Sequence, residues 1–145
     1  MVYSPRSGAT VRTRKRLLFV DDEPSIRLTL APVLEHHGFA VTTAASVSEA
    51  VAQIKTSQFD ILLSDLNIGE EGDGFHVVRE MREHYPRCVT IILTGYPAFE
   101  SAQLAIRYQV DDYVVKPADI DVLVSTITQK MSEQELRDRR AGAAD

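Results

Sequence analysis

Five polar residues that could do chemistry stand where short apolar runs of the sequence end: Asp21, Asp22, Asp65, Thr94 and Lys116. Three carboxylates brought close together need a counter-charge, and a hard divalent cation with oxygen ligands, Mg²⁺ above all, is the natural one. A carboxylate beside such a metal can attack a phosphoryl group to form an acyl phosphate. The set therefore favours phosphoryl transfer to Asp65, with Lys116 supplying positive charge and Thr94 a hydroxyl donor.

The elements that must position these residues are five apolar runs that alternate with segments of helical period. The predicted strands cover 17–20, 40–44, 59–64, 89–93 and 112–115, and the predicted helices begin near 24, 46, 74, 98 and 120. Because parallel strands need helical crossovers, this alternation predicts an α/β fold, a doubly wound five-stranded parallel sheet with five helices. The carboxyl ends of such strands meet at the edge where ligands bind. We therefore expect the polar residues to converge at that edge.

Length and composition predict one domain of common size. The chain has 145 residues, and its apolar runs are too short to cross a membrane. Residues 1–16 lack the apolar core of a secretory signal, so the expected location is the cytoplasm. The single cysteine, Cys88, excludes an internal disulfide, and the four histidines lack the spacing of a zinc site.

Charge is distributed unevenly along the chain. Residues 1–16 hold five basic side chains and no acid, whereas residues 17–129 hold 7 basic and 17 acidic side chains, a net charge of -10. An acidic domain repels nucleic acid phosphates, which argues against direct DNA or RNA binding. We expect a basic flexible tail at 1–16, one folded domain at 17–131 and a charged extension without apolar period at 132–145.

Four motif blocks resemble the receiver domain of two-component response regulators. They are LLFVDDE at 17–23, SDLN at 64–67, LTG at 93–95 and DYVVKP at 112–117, in the order and spacing of that family. The resemblance covers residues 17 to about 131. It implies a flavodoxin-like sheet with strand order 2-1-3-4-5.

The resemblance also implies a metal site and a phosphoacceptor. Asp65 is expected to accept a phosphoryl group from a sensor histidine kinase or a phosphotransfer protein. Mg²⁺ is expected to be bound directly by Asp22, Asp65 and the backbone carbonyl of Asn67, with Asp21 acting through water. Lys116 is expected to pair with the acyl phosphate. Such a domain catalyses its own phosphorylation and dephosphorylation and acts on no separate substrate.

A conformational switch is the last property that the resemblance implies. Thr94 is expected to swing toward a phosphoryl oxygen and Tyr113 to turn inward into the space that it leaves. These movements would remodel the face formed by the fourth helix, the fifth strand and the fifth helix. We expect the signal to be passed on by contact with an unidentified output protein. The receiver itself is expected to be a monomer or weak dimer that binds neither membrane nor nucleic acid directly.

The sequence departs from the family at several positions. Gly69 stands where receivers usually have a proline, and the loop that follows is one residue longer and adds Glu70 and Glu71. We expect this loop to be more mobile than usual, and its acids to weaken the approach of a phosphodonor. Gln109 replaces a glycine that commonly closes the fourth helix, and Pro32 interrupts the first helix.

Several alternative roles for these residues agree less well with the sequence. Asp21 and Asp22 alone would be typical of acids at a helix start. Asp65 and Asn67 begin like a calcium loop, but Gly69 follows where an oxygen ligand is needed. A phosphatase resembling the haloacid dehalogenases needs a second aspartate as general acid where Asn67 stands. A pseudo-receiver that only binds is disfavoured because the polar set is complete.

Overall fold

The computed structural model of this protein describes residues 14–116 and 119–144. Most of the predicted basic tail, residues 1–13, lies outside these ranges, as does Pro117 of the last motif block. Within the described ranges, no helix has the length and apolar character needed to cross a membrane.

Within these described ranges five strands alternate with five helices, as the sequence predicts. The strands are β1 Arg16–Val20, β2 Ala40–Ala44, β3 Ile61–Asp65, β4 Val89–Thr94 and β5 Asp112–Val115. The helices are α1 Pro24–His36, α2 Val47–Thr56, α3 Asp73–His84, α4 Phe99–Arg107 and α5 Ile120–Ala144. All strand pairs are parallel, in the order β2-β1-β3-β4-β5. The predicted fold class and strand order are confirmed.

The sheet divides the hydrophobic core into two layers because successive side chains of a strand point to opposite faces. Leu18 and Leu62 face the layer formed with α2, α3 and α4, whereas Leu17 and Ile61 face the layer formed with α1 and α5. Both faces of β1, β3 and β4 are therefore covered. This is why their sequences are continuous apolar runs rather than alternating ones.

Local sequence signals place several helix ends correctly. The Ser46 hydroxyl accepts a hydrogen bond from the Glu49 N–H at 3.1 Å, and the Glu49 carboxylate accepts one from the Ala45 N–H at 2.8 Å. A serine followed three residues later by a glutamate predicts a capping box, and this reciprocal pattern closely follows it at the start of α2. Pro24 occupies the first turn of α1, where its missing N–H is not needed.

The C-terminal helix is longer than the sequence suggested. The apolar period does end near residue 131, but α5 continues through 132–144. In this segment Glu135 lies 3.7 Å from Lys15, and Asp138 lies 3.5 Å from Arg87. The predicted charged extension at 132–145 is therefore helical through residue 144, because good helix formers and polar contacts to the domain can continue a helix whose apolar period has stopped.

Two of the departures from the family pattern are accommodated by the backbone. Helix α1 runs through Pro32, whose side chain is exposed. Gln109 adopts a φ of +59°, the left-handed region that glycine would reach more easily. Its carbonyl accepts a hydrogen bond from the Arg82 guanidinium at 2.6 Å, which holds this conformation.

Candidate functional site

Three carboxylates meet at the carboxyl edge of the sheet. Asp21 and Asp22 follow β1 directly, and Asp65 is the last residue of the neighbouring strand β3. One carboxylate oxygen from each residue lies within 4.8 Å of the other two. Asp21 is buried, Asp65 is half-buried and Asp22 is exposed. The cluster therefore has one carboxylate shielded from solvent, that of Asp21, and one open to solvent, that of Asp22.

The backbone around the cluster holds the carboxylates in place. The Glu23 N–H, just before α1, donates to the carboxylate of Asp21 at 2.9 Å. The Leu66 N–H donates to the carboxylate of Asp65 at 3.1 Å. The guanidinium of Arg27 donates to the backbone carbonyl of Asp21 at 2.7 Å, a contact that sequence reasoning missed. Because these hydrogen bonds fix the orientation of the two carboxylates, the carboxylate oxygens can bind a ligand without first becoming ordered.

Lys116 reaches this cluster from the end of β5. Its ammonium nitrogen lies 3.1 Å from Asp65 Oδ1 and 3.4 Å from Asp21 Oδ2. Its backbone N–H donates to the carbonyl of Thr94 at 2.7 Å, which continues the pairing of β4 and β5. Burial alone would lower the pKa of Lys116, but the hydrogen bond to Asp65 and the charges of Asp65 and Asp21 outweigh it and raise that pKa. The ammonium is therefore firmly protonated.

Asp65 carries negative charge at an unfavourable position. Burial is the largest influence and raises its pKa, and the charges of Asp21 and Asp22 act in the same direction. The hydrogen bond and the charge of Lys116 oppose this rise without cancelling it. One lysine is thus insufficient for three carboxylates, and the set of oxygen donors fits a hard divalent cation such as Mg²⁺.

Replacing Asp65 with asparagine should raise the stability of the metal-free protein at neutral pH. The pKa of Asp65 is higher in the folded state than in the unfolded chain, so its ionisation costs stability as the pH rises through the folded-state pKa. Lys116 keeps Asp21 as partner in the variant. Urea unfolding with chelator from about pH 4 to about pH 8 should show an Asp65→Asn advantage that widens with pH.

The matched control for this measurement is Glu35→Gln, which removes an exposed acid on α1. It should leave the pH dependence of unfolding unchanged. An advantage of Asp65→Asn that is absent, or that shrinks as the pH rises, would contradict the prediction.

The two predicted switch residues lie on the neighbouring strands β4 and β5. Thr94 is buried at the end of β4, and its hydroxyl accepts a hydrogen bond from the Tyr96 N–H at 3.1 Å. The Tyr113 hydroxyl lies 2.6 Å from Ser101 Oγ in the first turn of α4. Among the hydrogen bonds of the described residues, neither hydroxyl contacts a carboxylate of the cluster. The structure thus places Thr94 against the segment between β4 and α4, and Tyr113 against the first turn of α4.

Asn67 lies in the loop between β3 and α3, and its exposed side chain binds the loop rather than the cluster. Its Oδ1 accepts a hydrogen bond from the Gly72 N–H at 2.8 Å. The Glu70 N–H donates to Asp73 Oδ2 at 3.1 Å, and Ile68 is buried in the core. These contacts brace the loop from within. Its expected mobility stays a prediction.

Gly69 joins this loop to the cluster. Its backbone N–H donates to Asp22 Oδ2 at 3.1 Å, a hydrogen bond that a proline at this position could not make. Its φ of +90° is reached easily by glycine alone. The departure from the family pattern therefore adds a direct link between the loop and an accessible carboxylate of the cluster.

Gly74 is a further residue of the site that sequence reasoning missed. Its N–H donates to the Leu66 carbonyl at 2.7 Å, which brings the start of α3 against the end of β3. A Cβ atom at this position would overlap the carbonyl oxygen of Asp65 and lie 3.0 Å from Leu66 Cα. The sequence shows a glycine at a helix start, but nothing in the sequence signals this close approach.

Comparisons with known proteins agree with this geometry. The family model described as the response regulator receiver domain matches residues 17–128. The photosynthetic apparatus regulatory protein RegA of Cereibacter sphaeroides is 38% identical over 119 residues, which cover 81% of this chain and 62% of that protein. This chain therefore spans less than two thirds of the length of that relative.

Two solved structures show the same fold. A CheY-like response regulator receiver domain protein from Methanospirillum hungatei superposes with a TM-score of 0.81 at 28% identity, covering 86% of this chain and 99% of that chain. A response regulator protein from Burkholderia pseudomallei, solved with a phosphorylated aspartic acid, a calcium ion and citrate, gives a TM-score of 0.74 at 27% identity. That match covers 86% of this chain and 72% of the other.

Proposed function

Because this chain belongs to the family of response regulator receiver domains, we propose that it accepts a phosphoryl group on Asp65 from a histidine kinase or a phosphotransfer protein. Members of this family are phosphoacceptors rather than enzymes with a separate substrate, and they bind Mg²⁺ at an acidic pocket. The observation that carries the proposal is the Lys116 ammonium 3.1 Å from Asp65, within a cluster of carboxylates at the sheet edge.

In the proposed reaction a carboxylate oxygen of Asp65 forms a bond to phosphorus while the bond between phosphorus and the donor's histidine nitrogen breaks. The nitrogen keeps the electron pair and takes up a proton. The Lys116 ammonium offsets the charge that Asp65 and the phosphoryl oxygens bring together. Catalysis of this kind depends mostly on positioning and on such neutralisation.

The proposed metal ligands are Asp22, Asp65 and the backbone carbonyl of Asn67, with Asp21 acting through water. The exposure of Asp22 and the complete burial of Asp21 support this division of roles. When bound, Mg²⁺ would supply the positive charge that one lysine cannot. The hydrogen bond from Gly69 to Asp22 leaves other lone pairs of that carboxylate available.

The proposed output surface is the face formed by α4, β5 and α5. Several apolar side chains on these elements are exposed, among them Phe99 at 74% and Ile106 at 79%. Phe99 and Ile106 are seven residues apart on α4 and so lie on the same side of that helix, and exposed apolar side chains on one face are typical of protein contact sites. We propose that Thr94 and Tyr113 couple the phosphoryl group to this face, and that the recipient is a protein rather than DNA.

Incubation with Mg²⁺ and acetyl phosphate should add one phosphoryl group, about 80 Da, to the wild-type protein and none to Asp65→Asn. Asp121→Asn, which removes an exposed carboxylate on α5, is the matched control and should gain the same mass as wild type. Chelation of the metal should suppress the gain. A mass gain that persists in Asp65→Asn would contradict the proposal. So would the absence of any gain in the wild-type protein with either acetyl phosphate or phosphoramidate as donor.

A further inference from the structure

The first turn of α4 holds a hydroxyl with three hydrogen-bonding partners. Ser101 Oγ lies 2.6 Å from the Tyr113 hydroxyl, 3.3 Å from the Ala98 nitrogen and 3.0 Å from the Ala98 oxygen. Tyr113 packs against the core layer beneath α4. Ser101 therefore joins the start of the helix to the middle of β5.

The donor in the contact between the two hydroxyls follows from counting hydrogens. A serine hydroxyl has one hydrogen and two lone pairs, and the Ala98 N–H can only donate to it. The Ala98 carbonyl can only accept, so it takes the serine hydrogen. Because the only serine hydrogen is used in this bond, the Tyr113 hydroxyl is the donor in its contact with Ser101 Oγ. The one hydrogen and both lone pairs of the Ser101 hydroxyl are then engaged in hydrogen bonds.

Two hydroxyls of the proposed switch hold the same segment at its two ends. Thr94 accepts from the N–H of Tyr96, just after β4, whereas Tyr113 donates to Ser101, just inside α4. The residues between, 95–100, are all exposed. Among the described contacts, the Thr94 hydroxyl thus holds this segment at its start and the Tyr113 hydroxyl holds it at its end. If the Thr94 hydroxyl turned toward a phosphoryl oxygen, the start of the segment would be released, and the contact between Tyr113 and Ser101 would still hold the end.

We propose that Ser101 is a positioning residue that latches Tyr113 and holds the first turn of α4 in the unphosphorylated conformer. The inference rests on the proposed function, because it needs Thr94 to change partner on phosphorylation. A latch of this kind opposes the switch. Its removal raises the fraction of protein already in the activated conformer, and a ligand that selects this conformer then binds at lower concentration.

The test is a beryllofluoride titration in the presence of Mg²⁺, followed through the backbone amide signals of Tyr96 and residue 101 by NMR. Ser101→Ala should lower the half-saturating beryllofluoride concentration by about fivefold, the effect of one neutral hydrogen bond. Tyr113→Phe should give a similar shift, and the double variant should add nothing further. Ser101→Thr, which keeps the hydroxyl, should restore the wild-type midpoint.

Ser132→Ala is the matched control, since Ser132 is an exposed serine on α5, 19 residues after Tyr113 in the sequence. It should titrate like wild type. Equal behaviour of wild type and Ser101→Ala, including no response in either, overturns the latch. The acetyl phosphate experiment then separates the causes, because a normal mass gain leaves the proposed function standing and a missing gain removes it as well.

Discussion

Gly74→Ala should destabilise the protein by about 1 to 3 kcal/mol, the usual cost of forcing extra volume into a packed site. Alanine in place of glycine normally favours a helix by about 0.5 to 1 kcal/mol, so the expected sign is opposite to that of helix propensity. The clash wins because the atoms in the way belong to the backbone of Asp65 and Leu66 and cannot rotate aside. Helix α3 must therefore move away from the end of β3.

The same movement should impair the phosphoacceptor. The N–H of Gly74 binds the Leu66 carbonyl, so a displaced helix pulls on the residue next to Asp65. Urea unfolding gives the stability change, and mass gain with acetyl phosphate gives the functional one. We expect slower phosphorylation of Gly74→Ala even at temperatures where the variant stays folded.

Two other glycines separate the clash from ordinary backbone effects. The added Cβ of Gly95→Ala meets no atom of the described residues within 4 Å, and the position has no positive φ, so its stability should stay close to that of wild type. Gly38→Ala also meets none of the described atoms but has a φ of +102°, so it should lose about 1 kcal/mol from backbone strain alone. Wild-type stability and phosphorylation in Gly74→Ala would show that the close approach has no consequence.

Lys116→Met should destabilise the metal-free protein by about 3 kcal/mol, because removal of one member of a buried charge pair leaves its partners uncompensated. The Lys116 side chain is 24% exposed, and those of its partners Asp21 and Asp65 are 0% and 13% exposed. Water can therefore screen the orphaned carboxylates only weakly. The expected loss lies at the lower end of the range for buried pairs because Asp65 retains some contact with solvent.

The same variant should bind Mg²⁺ more tightly than wild type. The lysine ammonium repels a cation at the carboxylates, so removing it should strengthen Mg²⁺ binding by about tenfold, or about 1.4 kcal/mol. Calorimetric titration measures the affinity, and urea unfolding with and without metal measures the stability. Mg²⁺ should therefore recover part of the lost stability.

Lys55→Met is the control for this pair of measurements, since Lys55 is exposed on α2. It should change neither metal-free stability nor Mg²⁺ affinity. A Lys116→Met protein with unchanged metal-free stability, or with weaker Mg²⁺ binding, would show that the lysine does not balance the carboxylates.

Much of the fold and of the candidate site follows from the sequence by itself. Parallel strands covered on both faces must be short apolar runs, and the polar residues that end four of the five runs lie at the same edge of the sheet. This reasoning brought together Asp21, Asp65 and Lys116, which are far apart in the chain. It required the order of the elements and no knowledge of distances.

Helix ends were predictable only where a local signal exists. Ser46 and Glu49 mark the start of α2 because a capping box is formed by residues a few positions apart. Helix α5 gives no such signal near residue 131, and its continuation is accompanied by contacts of Glu135 with Lys15 and of Asp138 with Arg87. Those partners are distant in sequence, so the pattern of α5 alone could not indicate them.

The sequence thus determined which residues form the acidic cluster, whereas tertiary structure decided the detailed contacts around the cluster and the predicted switch residues. The amide of Gly69 at Asp22, the bare Cα of Gly74 beneath Asp65 and the hydroxyl of Ser101 at Tyr113 are all contacts between separate elements. The physical reason is that periodicity and strand ends specify which edge or face a residue occupies. The ångström-scale contact depends on how each helix and loop is rotated and packed against the sheet.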